Sequence, residues 1–210
     1  RVQRLQRGAA QGDRKQRWLR MRVQGQKVVI GSGATAVTLV PSLVKLGARV
    51  TMVQRTPSFI LAEPRKDPVA GLLRSKLAPA RAHQIMRVKN TALQWGLYQA
   101  CRRAPKTMRK LLRSGAISGT GSETLVDTHF NPPYNPWDQR LCLDPDAALF
   151  KAIKHGDAEV VTDTIETFTE KGVKLGSGEE LEADIIITAT GLNMQLGGGA
   201  KVTRNGAPVN

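Results

Sequence analysis

Residues 27–40 read KVVIGSGATAVTLV, and this stretch decides the fold. The β-branched run at its start is typical of a buried parallel strand, and the apolar residues from Val37 onward recur at helical spacing. Between them, residues 31–36 form the pattern G-x-G-x-x-A. Placed between a strand and a helix, this pattern is the fingerprint of dinucleotide-binding folds.

The small residues of this fingerprint have separate predicted roles. Gly31 allows the tight turn, Gly33 lets the backbone approach a pyrophosphate, and Ala36 lets the helix pack closely on the strand. The helix N-terminus then directs free N–H groups at the phosphates. The alternative is a purely structural glycine-rich turn. The predicted cofactor-binding residues of the loop are Gly31, Ser32, Gly33, Ala34, Thr35 and Ala36.

The end of the next strand indicates which nucleotide is preferred. Residues 49–54 (RVTMVQ) predict that strand, which completes a β-α-β unit with a right-handed crossover. NAD-selective sites place Asp or Glu at its end, about 20 residues after the glycines. Here Arg55 and Thr56 stand at that place. A guanidinium can pair with a 2′-phosphate, so Arg55 favours NADP. Thr56 is a possible hydroxyl donor to the same phosphate. The alternative is that Arg55 is a solvated surface charge.

The middle of the chain predicts an insertion into this nucleotide fold. Apolar residues at helical spacing between 65 and 115 predict basic helices. Glycines and prolines predict loops over 116–145. The proline-rich loop around Tyr134 and Trp137 is expected to pack against the helical insertion.

The C-terminal part predicts a helix followed by strands. Residues 145–154 (PDAALFKAIK) predict a helix that Asp144 caps. From 158 onward the residues predict a series of strands. The middle part of this series is predicted to form an antiparallel meander with a turn at 176–178, and DIIITA at 184–189 is expected to return to the buried sheet. The predicted fold class is therefore α/β, a Rossmann-like NADP-binding domain with a helical insertion and a small antiparallel β-meander.

The net charge of +15 comes from two segments. Residues 1–26 hold seven Arg and one Lys against one Asp, and they predict a disordered basic leader, with a nucleic-acid-binding arm as the alternative. Residues 65–113 hold thirteen Lys and Arg against one Asp. We expect Ile85, Val88, Trp95 and Leu97 of this segment to pack inward; the alternative is weak, salt-dependent association with anionic membranes.

Several classes of protein are disfavoured. Cys101 and Cys142 lie far apart without a C-x-x-C pair, which argues against a disulfide framework and a dithiol redox centre. His83, His129 and His155 show no metal-ligand spacing, so no metal is predicted. No apolar run reaches the ~18 residues of a membrane span, and no secretion signal is visible. A cytoplasmic location is predicted, with membrane association as an alternative.

Four stretches in order resemble the NADPH-binding half of flavin-dependent Baeyer–Villiger monooxygenases, and most of all their ethionamide-activating branch. They are KVVIGSGATAV (27–37), VTMVQRTPSFI (50–60), HFNPPYNPWDQRLC (129–142) and EADIIITATGLN (182–193). The resemblance implies an enzyme that uses FAD, NADPH and O2 to oxidise a small ketone or thioether substrate.

The same resemblance implies roles for further residues. Arg140 matches the active-site arginine of the family, whose fixed charge would stabilise the reduced flavin and its oxygen adduct. Ala189, Thr190 and Gly191 match the segment where the chain crosses back toward the FAD domain. The family often carries Lys just before the arginine, and Gln139 stands there instead.

The resemblance also divides the chain. It implies the leader at 1–26, the NADP-binding domain at 27–190 and the start of a crossover to an FAD domain at 191–210. No first glycine motif precedes Gly31, and the family's His is missing before Trp18. We therefore expect a fragment without monooxygenase activity of its own. A stand-alone NADP-binding module and a basic nucleic-acid-binding or membrane-binding protein remain alternatives, although no nucleic acid partner is expected.

Overall fold

The computed structural model describes residues 24–139, 141–192, 198, 200–205, 207 and 208. The described residues form both helices and strands, with four consecutive helices in the middle of the chain and a series of strands after the last helix. In chain order they are β1 (Gly25–Ile30), α1 (Ala34–Lys45), β2 (Ala48–Gln54), β3 (Ile60–Glu63), α2 (Pro68–Lys76), α3 (Pro79–Arg103), α4 (Pro105–Thr120), α5 (Glu123–His129), β4 (Cys142–Pro145), α6 (Ala148–Lys154), β5 (Ala158–Thr162), β6 (Ile165–Phe168), β7 (Gly172–Leu175), β8 (Glu180–Glu182), β9 (Ile185–Thr188), β10 (Thr203–Arg204) and β11 (Ala207–Pro208). This arrangement is the predicted α/β fold.

A parallel sheet with the order β5-β2-β1-β9 forms the centre of the fold. β1 pairs with β2 from Gly25 opposite Ala48 to Ile30 opposite Val53, and α1 makes the crossover between them. β9 pairs with the other side of β1. The β-α-β unit and the return of DIIITA to the sheet are both confirmed.

Each face of this sheet is covered by a different layer. Val29 points into the larger core, which α1 and α6 complete and to which Phe150 belongs. Its neighbour Val28 points the other way, into a smaller core that includes Val173 of the antiparallel sheet β6-β7-β8. All four side chains are fully buried. Adjacent strand residues face opposite sides, so an unbroken apolar run requires cover on both.

The predicted meander is confirmed. β7 pairs antiparallel with β6 and with β8, and the turn between β7 and β8 contains Gly176 and Gly178. β3 and β4, which the sequence analysis did not predict, form a separate parallel pair. This pairing places the residues that lead into α2 beside the residues that lead into α6.

The predicted helices of the insertion are present as α2, α3 and α4. The loop expected over 116–145 is confirmed in the described residues between α5 and β4, but it is wrong at both ends, because α4 continues to Thr120, α5 covers 123–129 and β4 covers 142–145. Helix α4 continues through a buried face on which Leu112, Ala116 and Thr120 are spaced by four residues.

The boundary between α4 and α5 has a local cause. Gly121 follows α4 with a φ of 77°, a left-handed conformation that glycine adopts without a steric penalty. Ser122 then caps α5, because its Oγ accepts a hydrogen bond from the amide of Leu125 at 3.3 Å.

Helix α3 also differs from the expectation. Ile85, Val88 and Trp95 are 46%, 70% and 62% exposed, so the inward packing expected for them is wrong, whereas Leu97 is half-buried. Ala82 and Cys101 are the buried residues of this helix. The helices that α3 contacts are α2 and α4, and these contacts leave the three exposed side chains uncovered. We call Ile85, Val88 and Trp95 the α3 stripe.

The helix predicted over 145–154 begins only at Ala148, because Asp146 and Ala147 adopt positive φ values of 60° and 52°. The predicted cap is present nevertheless. The fully buried carboxylate of Asp144 accepts hydrogen bonds from first-turn amides at 3.0–3.3 Å. Burial raises the pKa of Asp144, and these amides partly oppose the shift.

Some predictions concern residues outside this description. Residues 1–23 of the predicted leader, including Trp18, lie outside the described residues. In the part that is described, no helix is long and apolar enough to cross a membrane.

Candidate functional site

A cleft of about 1090 Å³ opens at the carboxyl end of the parallel sheet. Its near side consists of the loops that follow β1, β2 and β9, and its far side is the loop between α5 and β4. Open α/β sheets bind ligands at this edge. The predicted cofactor-binding residues that line it are Gly31, Ser32, Gly33, Ala34, Thr35, Arg55, Thr56, Ala189, Thr190 and Gly191. Ala36 is fully buried in the core behind them.

The two glycines of the fingerprint have different environments. Gly31 has a φ of 126°, and a Cβ there would lie 2.4 Å from the carbonyl oxygen of Ala189. Its amide donates to the Val53 carbonyl at 2.8 Å. Gly33 has an ordinary φ of −79°, and a Cβ there would meet nothing within 4 Å. The fold therefore requires glycine at position 31. At position 33 it does not, and the missing side chain leaves open space beside the backbone.

The N-terminus of α1 lies at this open space. Gly33 is its N-cap residue, no side chain caps it, and its first turn contains no acidic residue. Ala34 and Thr35, in that turn, are exposed. The first amides of a helix have no intrahelical acceptor and carry partial positive charge. This end of α1 is therefore suited to an anion such as a phosphate.

Ser32 links the glycine loop to the loop after β2. Its Oγ donates to the Thr56 carbonyl at 3.2 Å and lies 3.0 Å from the Oγ of Ser58. The Sγ of Cys142 donates to the Ser32 carbonyl at 3.7 Å. The hydroxyl of Ser32 thus holds neighbouring loops together.

Arg55 lies at the carboxyl end of β2, on the rim of the cleft. Its side chain is exposed, and Thr56 beside it is half-buried. Among the described residues, no carboxylate forms an ion pair with Arg55. Its positive charge therefore remains available to a ligand.

One described carboxylate, that of Asp163, also lines the cleft. It accepts hydrogen bonds from the amides of Thr164 at 2.6 Å and Ser177 at 3.0 Å. Hydrogen bonds from Ser177, through its side chain and then its amide, and from Thr164 lower the pKa of Asp163. The loop after β5 therefore places a negative charge at the rim of the cleft.

The far wall of the cleft is the loop that carries Tyr134 and Gln139. The Tyr134 hydroxyl donates to the Pro57 carbonyl at 3.2 Å, which closes one end of the cleft. Burial raises the pKa of Tyr134. Gln139 lines the cleft and is exposed. Arg140, the predicted catalytic residue, lies outside the described residues.

The predicted packing of this loop on the insertion is confirmed. Trp137 meets Tyr98 of α3 edge to face, with 5.7 Å between ring centroids. Arg102 of the same helix donates to Asp138 at 2.8 Å. The basic helices therefore support one wall of the cleft.

The segment after β9 completes the near side. The Ala189 amide donates to the Ile30 carbonyl at 2.7 Å, which extends the pairing of β9 and β1 by one residue. Thr190 and Gly191 follow on the surface of the cleft. The loops after β1 and β9 are thus adjacent.

A polar cluster supports the rim from behind. The side-chain nitrogen Nε2 of Gln54 donates to the His129 carbonyl at 2.7 Å and to the Thr162 hydroxyl at 2.9 Å. Thr162 Oγ1 lies 2.8 Å from Nδ1 of His129, and burial lowers the pKa of this histidine. Arg55 and Asp163 directly follow members of this cluster in sequence, so the cluster fixes the backbone that leads to both.

Comparisons with known proteins agree with this geometry. FAD-containing monooxygenase EthA of Mycolicibacterium smegmatis is 57% identical over 183 residues, which are 87% of this chain and 37% of the relative. Over this segment the chain is similar in sequence to an FAD-containing monooxygenase. Probable FAD-binding monooxygenase AlmA of an Acinetobacter species is 48% identical over 188 residues, covering 89% of this chain and 38% of that relative. The chain thus spans less than two fifths of the length of these relatives.

Solved structures share the fold of this chain. The crystal structure of OTEMO in complex with FAD and NADP superposes with a TM-score of 0.60 at 16% identity, over 81% of this chain and 38% of that one. The structural neighbours are Baeyer–Villiger monooxygenases, as the sequence resemblance predicted. No protein-family model matches the chain.

Some residues of the cleft were not predicted from the sequence. Asp163 directly follows β5, whose pairing with β2 brings it to the rim, so the order of the strands would have identified it. Ser58 and its contact with Ser32 had no sequence signal, because the contact joins residues 26 positions apart. Within the described residues, no group of three or more His, Cys, Asp or Glu side chains is arranged to hold a metal.

Proposed function

We propose that this chain is the NADP(H)-binding part of an FAD- and O2-dependent monooxygenase that oxidises small ketones or thioethers. The observation that carries the proposal is the pairing, in one cleft, of an uncapped helix N-terminus with an exposed arginine that has no described ion-pair partner. The first suits a pyrophosphate, and the second suits a 2′-phosphate.

The glycine loop fits a pyrophosphate. The open space beside Gly33 is the volume that a Cβ would otherwise enter, so a phosphate can approach the backbone there. The amides of Ala34 and Thr35 would donate to it. Ser32 contributes by holding the loop through its contacts with Thr56 and Ser58. In such an enzyme the bound nicotinamide ring donates a hydride, and the residues of this chain bind and orient the dinucleotide that carries it.

Arg55 would set the preference for NADP over NAD. NAD-selective sites place at the end of this strand a carboxylate that accepts from the ribose, and a carboxylate there would repel a 2′-phosphate. The guanidinium of Arg55 would pair with that phosphate, and the Thr56 hydroxyl would donate a further hydrogen bond. With Gln139 in place of a lysine, most of the positive charge for this phosphate comes from Arg55.

The chemistry of the whole protein is part of the proposal. The curated relatives are described as FAD-containing or FAD-binding, and OTEMO was solved with FAD and NADP. By its match to the family motif, Arg140 is proposed as the catalytic arginine that contributes a fixed positive charge beside the flavin. Ala189, Thr190 and Gly191 are proposed as the path toward the FAD domain.

Calorimetry tests the proposal on the purified chain. Replacing Arg55 by Ala should weaken NADPH binding by about 1.5–3 kcal/mol, the range for hydrogen bonds to charged groups, and leave NADH binding nearly unchanged. Arg49→Ala, on an exposed residue at the opposite end of the same strand, is the matched control and should change neither. Equal losses for both nucleotides in Arg55→Ala would refute the assignment.

A second candidate function is peripheral binding to an anionic membrane on the cytoplasmic side. The α3 stripe supports it, because a tryptophan and two aliphatic side chains are exposed on a basic helix. The one acidic residue of the 65–113 segment, Asp67, pairs with Lys89, and Arg65, Arg102 and Arg113 pair with carboxylates outside the segment. The cations without a described ion pair are available to attract anionic headgroups. Each Lys or Arg near such a surface contributes about 1 kcal/mol.

Vesicle flotation tests this second function. The chain should float with phosphatidylserine-containing vesicles at low ionic strength and be released by salt. Trp95→Glu should abolish flotation, whereas Phe168→Glu, at a 57% exposed position on β6, should not. Absence of flotation at low ionic strength would rule this function out.

A further inference from the structure

Arg109 lies on α4, yet its guanidinium reaches the far wall of the cleft. Nη1 donates to the Tyr134 carbonyl at 3.0 Å. Nη2 donates to Oδ1 of Asn131 at 2.8 Å and to the Pro132 carbonyl. Three acceptors within one short loop are thus bound by one planar group.

The same side chain also contacts the near side of the cleft. Its guanidinium carbon lies 5.7 Å from the centre of the Phe59 ring, a cation–π distance. Phe59 meets Tyr134 edge to face with 5.6 Å between ring centroids, and Tyr134 donates to the Pro57 carbonyl. Arg109 therefore connects the loop after β2 with the loop that leads to Gln139.

The partners of Arg109 differ from those of a typical structural arginine. Arg113, one turn further along α4, pairs with the carboxylates of Glu123 at 2.6 Å and Asp127 at 2.7 Å. No described carboxylate pairs with Arg109, whose acceptors are neutral oxygens on the cleft wall. The guanidinium donates to this set from two nitrogens held in one plane, whereas lysine offers a single nitrogen on a shorter side chain.

We infer that Arg109 is a positioning residue, which sets the separation between the two walls of the cleft at which a dinucleotide binds. The inference rests on the proposed NADP(H) function and adds to it a residue that does not line the cleft. The proline-rich loop has no regular secondary structure to hold it, so its position depends on side-chain contacts from the insertion.

Two matched lysine variants test this on the chain. Arg109→Lys should weaken NADPH binding about tenfold, which corresponds to about 1.4 kcal/mol. Arg113→Lys is the same change on the same helix, and its affinity for NADPH should stay within about twofold of the wild-type value. Arg109→Ala should recover NADPH binding when guanidinium chloride is added at millimolar concentration, and sodium chloride at the same ionic strength should not restore it. Wild-type affinity in Arg109→Lys, or equal losses in both lysine variants, would overturn the inference.

A nucleotide-free measurement separates this inference from the proposed function. In the wild-type chain the amides of Asn135 and Asp138 are hydrogen-bonded within the loop. Arg109→Lys should speed their hydrogen exchange at least about tenfold, and Arg113→Lys should not. If the wild-type chain binds no NADPH, the proposed function fails and the exchange result alone decides the role of Arg109. Unchanged exchange in Arg109→Lys would overturn that role.

Discussion

Alanine substitutions at Gly31 and Gly33 should have opposite consequences, because the two glycines serve different purposes. At Gly31 a side chain would occupy a positive-φ conformation, which costs about 1–3 kcal/mol. Its Cβ would also lie 2.4 Å from the Ala189 carbonyl oxygen, and the forced backbone shift costs about 1–3 kcal/mol more. Gly31→Ala should therefore lower the free energy of unfolding by about 2–6 kcal/mol, a large share of the ~5–15 kcal/mol of an ordinary domain.

Gly33→Ala should leave the fold intact. The φ of −79° suits alanine, and the new Cβ would meet nothing within 4 Å. A glycine replaced at a compatible position stabilises a protein by about 0.4–1 kcal/mol through the unfolded state. The methyl group would nevertheless enter the space that we assign to the pyrophosphate. The loss of one charge-assisted hydrogen bond there, about 1.5–3 kcal/mol, would weaken NADPH binding at least about tenfold.

Urea unfolding and NADPH titration of both variants check this pair. The expected result is a destabilised Gly31→Ala and a stable Gly33→Ala that has lost affinity. A stable Gly33→Ala with wild-type affinity for NADPH would refute the position of the pyrophosphate. A stable Gly31→Ala would refute the close approach of the β1 and β9 loops.

Three further predictions concern stability. Burial lowers the pKa of His129 below 6.5. The contribution of this histidine to stability is therefore present above pH 6.5 and is lost as the pH falls toward the lowered value. The wild-type free energy of unfolding should decrease from pH 7.5 to 5.5, and it should decrease less in His129→Asn. Gly119→Ala should destabilise the protein by about 1–3 kcal/mol, because the new Cβ would lie 2.7 Å from the Phe150 ring. Gly115→Ala, which has open space on the same helix, should stabilise the protein by about 0.5–1 kcal/mol. Thermal melts of the two variants test this difference. Asp144→Ala should cost about 1–2 kcal/mol in urea unfolding, because it removes the acceptor for the first amides of α6.

The parts of the fold that follow local rules were predictable from the sequence. The strand, glycine loop and helix of residues 27–45 are such a case, because their spacing specifies both the elements and the turn between them. The return of 184–189 to the sheet was predictable since an unbroken apolar run requires cover on both faces. Asp144 was recognised as a cap because an acidic residue preceded a helical pattern.

The errors arose where tertiary contacts overrule local preference. Gly119 suggested a loop, but the burial of Leu112 and Ala116 keeps that segment helical, and glycine is needed there because Phe150 packs against it. The exposure of Trp95 was not predictable, because helical spacing shows that residues share a face but not whether that face is covered.

The candidate site was predictable where one motif carries it and not where distant segments meet. Gly31, Gly33 and Arg55 follow from a single β-α-β unit. The contacts of Arg109 with the loop around Tyr134 join positions 25 residues apart on different elements, and no local pattern signals them.

NADPH is expected to bind in the cleft at the carboxyl end of the parallel sheet. Amide chemical shifts of the nitrogen-15-labelled chain during an NADPH titration test this binding site. Residues 31–36, Arg55 and Thr56 should show saturable shifts. Residues at the opposite end of the sheet, where a cavity of about 490 Å³ is lined by Gly47, Arg49 and others, should show none. Shifts confined to that opposite cavity, or no shifts at all, would show that NADPH does not bind in the cleft.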